Sequence, residues 1–218
     1  MSYQIIEQSK WPRAEHFKFY ASADQPWFNV CTNIEASALY NYCKLNKLSF
    51  FHAYLFCTQK ALNINDAFKL RLVGDEIRQY EKIRISTTVL GENDLMHFCD
   101  FDYQPTFEHF SEQARQKEQE VKSQPFMAEH FYGNDIRQDV IHMSVLPWIS
   151  FTGFTNAKHS NVGNSVPKIV FGKCFEENGQ KLMPLSIEVH HGIMDGLHVG
   201  KFISSLESFF NSPDATLG

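Results

Sequence analysis

The segment His190-His191-Gly192-Ile193-Met194-Asp195-Gly196 packs two imidazoles, a carboxylate and two glycines into seven residues. Histidine titrates near neutral pH, so either ring suits a general base. Val189 should face one side of its strand and His190 the other. His191 then lies at the strand's end, where it can project into a cleft. Asp195 either secures the site through an ion pair or caps the helix that follows. Gly196 permits a positive φ and a sharp turn. The histidines also read as ordinary core or surface residues, or His191 and Asp195 as metal ligands. No third ligand sits at suitable spacing and no cysteine is near, so no metal is expected.

Two further segments carry candidate groups. In Met143-Ser144-Val145-Leu146-Pro147-Trp148, Ser144 lacks the G-x-S-x-G elbow of a nucleophile. Its hydroxyl suits a donor to a developing oxyanion, worth about 3 kcal/mol in acyl transfer. In Trp11 to Tyr20, Arg13 is either an exposed charge or the partner of a buried carboxylate. Phe17 reads as core, and Tyr20 stays open between core and pocket.

The elements that must position these groups mix helix and strand. Tyr3 to Glu7 reads as a short strand, and Pro12 opens a helix through Tyr20. Alternation over Phe28, Val30, Thr32 and Ile34 predicts a half-buried strand. Helices follow at Ala36–Asn46 and Phe50–Asn63. Short strands come next, near Phe68–Val73, Ile77–Glu81, Ile83–Leu90 and Met96–Tyr103. Thr106 caps a helix to about Lys122 with a charged, solvated outer face. Pro125 to Gln138 reads as irregular. Strands at Val140–Leu146, Lys168–Phe175 and Leu182–Val189 follow, the last two joined by an Asn178-Gly179 hairpin turn. Leu197–Phe210 is a final amphipathic helix. The sum is an α+β fold, a mixed sheet flanked by helices, in one domain over residues 1–218.

Composition narrows the classes. A 43% hydrophobic share with 20 Phe supports a real core. A net charge of -5, with no dense basic cluster, argues against nucleic acid. No signal peptide or apolar run of membrane-span length is seen, so a cytoplasmic protein is expected. Five scattered cysteines without a C-x-x-C pair read as reduced thiols.

Taken together, three stretches resemble the chloramphenicol acetyltransferases. They are His-His-x-x-x-Asp-Gly at 190–196, Ser-x-Leu-Pro-Trp at 144–148 and Trp-x-Arg-x-Glu-His-Phe-x-Phe-Tyr at 11–20. The first alone is shared with dihydrolipoyl and carnitine acyltransferases and with peptide-synthetase condensation domains. The three in order, spaced along nearly the whole chain, are specific. The resemblance implies a CoA-dependent acyltransferase fold. It implies acetyl-CoA as co-substrate, with no tightly bound cofactor, and chloramphenicol or a related alcohol as acceptor. His191 is then the base and Ser144 the oxyanion donor. Asp195 and Arg13 form a supporting ion pair, Tyr20 and Phe28 line the acceptor side, and Lys173 lies near the CoA channel. A homotrimer with active sites between subunits is also implied. Val170, His142, Asp24, Pro26 and Ser49-Phe50-Phe51-His52 depart from the family pattern and bear on acceptor preference. The alternatives are the same chemistry on another hydroxylated small molecule, a drug-sequestering protein of the same fold, and a hydrolase.

Overall fold

The computed structural model describes residues 2–91, 94–122, 137–157 and 165–218. The chain runs through β1 (Tyr3–Ile5), α1 (Ala14–Ala21), β2 (Trp27–Glu35), α2 (Ser37–Asn46) and α3 (Phe50–Ile64). Then come β3 (Leu70–Val73), β4 (Glu76–Tyr80), β5 (Arg84–Leu90), β6 (Met96–Phe101) and α4 (Phe107–Lys122). The last part holds β7 (Val140–Leu146), β8 (Lys168–Gly172), β9 (Phe175–Glu177), β10 (Gln180–His190), α5 (Gly196–Asn211) and α6 (Pro213–Leu217).

The main sheet has the strand order β2-β10-β8-β7-β5-β6, with β9 paired to β10. It is mixed: β7 runs parallel to both β5 and β8, and the other pairs are antiparallel. β5 and β7 are parallel neighbours, so the chain must cross over between them, and α4 lies in that connection. One face of this sheet meets the helices. Ile141, Met143, Ile169, Phe171, Leu185, Ile187 and Val189 come from that face and share a core with Leu55, Phe56 and Leu62 of α3 and Phe202 and Leu206 of α5. Because strand side chains alternate, the intervening His142, Ser144, Lys168, Val170, Ser186, Glu188 and His190 line the opposite face.

The α+β class and the mixed, helix-flanked sheet stand as expected. The strands at 70–73 and 76–80 leave the main sheet and form a separate three-stranded one, β1-β4-β3. Period-two patterning marks a strand but not its neighbours. The stretch expected as one strand from Lys168 to Phe175 is interrupted at Lys173 and Cys174. There the Lys173 N–H donates to the Ile149 carbonyl at 2.8 Å, outside the ladder. The Asn178-Gly179 turn closes β9 onto β10 with φ of 51° and 78°, the left-handed pair a tight hairpin requires. The short α6 went unread, since five residues behind a proline show no periodicity. Nearly all of the segment expected to be irregular, residues 125 to 138, lies outside the described residues.

Candidate active site

Strand β10 delivers the histidine pair. Val189 is fully buried in the core, and His190, on the other side, is buried edge-on against Trp27 with ring centroids 5.6 Å apart. Burial, assisted by the neighbouring His191, pushes His190 down to about 4. His190 is therefore neutral at pH 7, and its Nδ1 accepts the Gly192 N–H at 3.1 Å. This pins the chain just beyond His191. A side chain at Gly192 would meet the His190 ring at 3.0 Å and Phe17 at 3.1 Å, so only glycine lets the backbone pass here without displacing them.

His191 sits past the strand end in an aromatic frame from its own chain. Its ring stacks on Tyr20 at 3.9 Å with an 8° interplanar angle, and Phe28 leans on it at 4.6 Å. Its N–H donates to the Pro26 carbonyl at 2.6 Å. The Nδ1 is buried and has no hydrogen-bond partner among the described residues, yet the residue keeps part of its surface exposed. The imidazole is thus held flat on Tyr20 with Phe28 tilted against it at 48°, and it is not sealed in.

Arg13 and Asp195 brace the loop from below. The Arg13 Nη1 donates to Asp195 Oδ2 at 2.6 Å, and its Nη2 donates to the His191 carbonyl at 3.3 Å. Both readings of Asp195 apply at once. Its other oxygen caps α5, accepting from the Leu197 N–H at 3.1 Å, and it completes a capping box with His198. Burial works to raise the Asp195 pKa, but hydrogen bonds from Arg13 and His198 outweigh it and hold the carboxyl at about 2. Gly196, expected to turn the chain with a positive φ, does not have one; it is simply the first residue of α5. The turn is made before it, where the Ile193 and Met194 N–H groups close back on the His190 carbonyl, each at 3.0 Å. Sequence reasoning missed His198, Trp27 and the Pro26 carbonyl. His198 had a signal, since a residue three after an N-cap is where a capping box closes.

Ser144 and Lys173 lie apart from this cluster. Ser144 faces the non-helical side of β7, directly opposite Val170, which in turn pairs with Ser186 on β10. His191 lies just past the end of β10, five residues after Ser186, and β10 is two strands from β7. Strand spacings of about 3.4 Å per residue and about 4.8 Å between strands put it about 20 Å from Ser144 within one chain. Lys173 is exposed at the break after β8, where its backbone N–H meets the Ile149 carbonyl. Among the described residues no group of three or more His, Cys, Asp or Glu is set to hold a metal ion. No described helix is long and apolar enough to cross a membrane.

The comparisons bear on both fold and family. The core of a pyruvate dehydrogenase multienzyme complex superposes with a TM-score of 0.69 at 16% identity, covering 94% of this chain and 89% of its own. A solved chloramphenicol acetyltransferase superposes with a TM-score of 0.89 at 26% identity, covering 96% of this chain and 100% of its own. The fold is that of the CoA-dependent acyltransferases, and the chain is an acyltransferase. In sequence, the chloramphenicol acetyltransferase of Staphylococcus aureus is 27% identical over 228 residues, spanning 98% of each chain. One from Escherichia coli is 26% identical, over 95% of this chain and 93% of its own. A family model described as chloramphenicol acetyltransferase matches residues 1–207, and the chain belongs to that family.

Proposed function

We propose that residues 1–218 form one domain that transfers an acetyl group from acetyl-CoA to a hydroxyl of chloramphenicol, inactivating the antibiotic in the cytoplasm. His191 removes the proton from the acceptor hydroxyl as that oxygen attacks the thioester carbonyl. Ser144 donates to the tetrahedral oxyanion. Collapse breaks the carbon–sulfur bond, and the proton held by His191 passes to the departing CoA thiolate. A positioned base contributes about 10²- to 10⁴-fold. Arg13 and Asp195 position the His191 loop. Tyr20 and Phe28, which frame the imidazole, line the acceptor side. Lys173, exposed at the break after β8, faces the CoA.

The observation that carries this reading is the division of the machinery. A framed, partly exposed imidazole lies at one end of the sheet, and the oxyanion donor lies about 20 Å away by ordinary strand spacing. One chain holds both halves but does not join them, which favours a homotrimer whose sites form between the His191 end of one subunit and the Ser144 face of the next. The test is release of the CoA thiol from acetyl-CoA, followed spectrophotometrically with purified protein. Release that depends on chloramphenicol is expected, and none over hours overturns the reading.

One feature favours a more polar alcohol as acceptor. On the face that carries Ser144, the adjoining cross-sheet row is His142, Lys168 and Glu188, in register. The Lys168 Nζ lies 3.9 Å from the Glu188 carboxylate. Charges this close to the oxyanion donor suit an acceptor bearing polar groups. Faster thiol release with a polyhydroxylated alcohol than with chloramphenicol supports this second reading.

A further inference from the structure

Behind the Arg13–Asp195 pair, away from the His191 ring, lies a cavity of about 480 Å³ between the start of α5, the loop after α3 and the N-terminal segment. That volume is in the range of small-molecule sites. Ile6, Trp11 and Ile64 give it apolar walls with accessible surface. Three cationic or cation-capable side chains line it: Arg13, His198 and Lys201. The carboxylate there, Asp66, is engaged by Lys69 at 2.6 Å. Lys201 makes no ion pair among the described residues. Arg13 itself lines the cavity, and its side chain keeps 14% of its surface exposed.

We propose that this cavity binds a small amphipathic monocarboxylate, its apolar body against Ile6, Trp11 and Ile64 and its carboxylate on Lys201 and Arg13. The site is distinct from the His191 frame but shares Arg13 with it. A carboxylate that draws on the Arg13 guanidinium competes with Asp195 and with the His191 carbonyl. Occupancy therefore loosens the loop that positions the base, and it lowers turnover without entering either substrate channel. Such coupling between two sites is reciprocal.

The test is calorimetric titration of the intact protein with octanoate, with octan-1-ol as the uncharged control. Octanoate is expected to bind and octanol to bind at least about tenfold more weakly, because a charge-assisted hydrogen bond is lost. Lys201→Met is expected to weaken octanoate about tenfold and Ala67→Phe, which fills the cavity, to abolish binding. Lys201 is exposed on α5, so its variant keeps the fold even if Ala67→Phe does not. Octanoate is further expected to depress acetyl transfer non-competitively with both substrates. No heat up to about 10 mM, equal affinity for wild type and Lys201→Met, or inhibition competitive with the acceptor overturns the proposal. The calorimetry needs no turnover, so its outcome stands apart from that of the acetylation assay.

Discussion

Arg13 and Asp195, 182 positions apart in the sequence, meet at 2.6 Å directly under the His191 loop. The arginine side chain is 14% exposed and the aspartate 35%. Removing one partner of a fully buried pair costs about 3–5 kcal/mol, and an exposed pair is worth about 0–1 kcal/mol. This half-buried pair falls between. Asp195→Asn is expected to lower stability by about 1–3 kcal/mol and to reduce kcat, because the same carboxylate also caps α5. Thermal melting and steady-state kinetics check it. An unchanged Tm and rate show that the pair does not support the site.

Gly192 is expected to tolerate no side chain. A methyl group there meets His190 and Phe17 at 3.0 and 3.1 Å, and His190 is locked by its bond to the Gly192 N–H. Gly192→Ala should cost about 1–3 kcal/mol, in line with other overpacked sites, and should lower kcat more than it raises KM. Chemical denaturation and kinetics of that variant separate the two effects.

Acid sensitivity follows from His190. Burial holds it near 4 in the folded chain, whereas an unfolded histidine titrates near 6.5. A depressed histidine pKa means the unfolded state binds the proton first. The stabilising contribution is complete above pH 6.5 and is lost as pH falls from there to about 4, by up to about 3 kcal/mol. His142, pushed down to about 4 by burial and by Lys168 and Arg71, adds to the same window. Denaturant midpoints measured between pH 7 and pH 4 are expected to fall. His190→Gln should flatten the His190 share. A midpoint constant across that range contradicts the assignment.

Ser144→Ala is expected to lower kcat by about 10²- to 10³-fold with little change in KM, the effect of losing one oxyanion donor. Steady-state kinetics of the variant provides the check. A loss seen only in KM places Ser144 in substrate binding instead.

Much of this was legible in the chain. The histidine signature, the 144–148 stretch and the 11–20 stretch supplied the candidate residues, of which Arg13, Tyr20, His191 and Asp195 meet in one cluster, and periodicity placed β2, α3, β7 and α5 within a few positions. What stayed hidden is long-range or packing-determined. Alternation could not say that β3 and β4 would leave the main sheet. No spacing rule shows that Asp195 both caps a helix and pairs with Arg13, since one reading is local and the other spans almost the whole chain. Gly192, not Gly196, carries the glycine requirement, because the constraint comes from the His190 and Phe17 rings rather than from backbone dihedral angles. The distance between His191 and Ser144 was equally unreadable, because it depends on how β10, β8 and β7 are ordered.

The division of the site between subunits is open to one direct measurement. Protein co-expressed from His191→Ala and Ser144→Ala chains, each inactive alone, contains neighbours in which an intact His191 faces an intact Ser144. Random closed assembly leaves about a quarter of the interfaces wild type, so about a quarter of wild-type acetylation activity is expected. Activity no higher than that of the two single variants would place both residues in one chain's site, or in none, and would contradict the account.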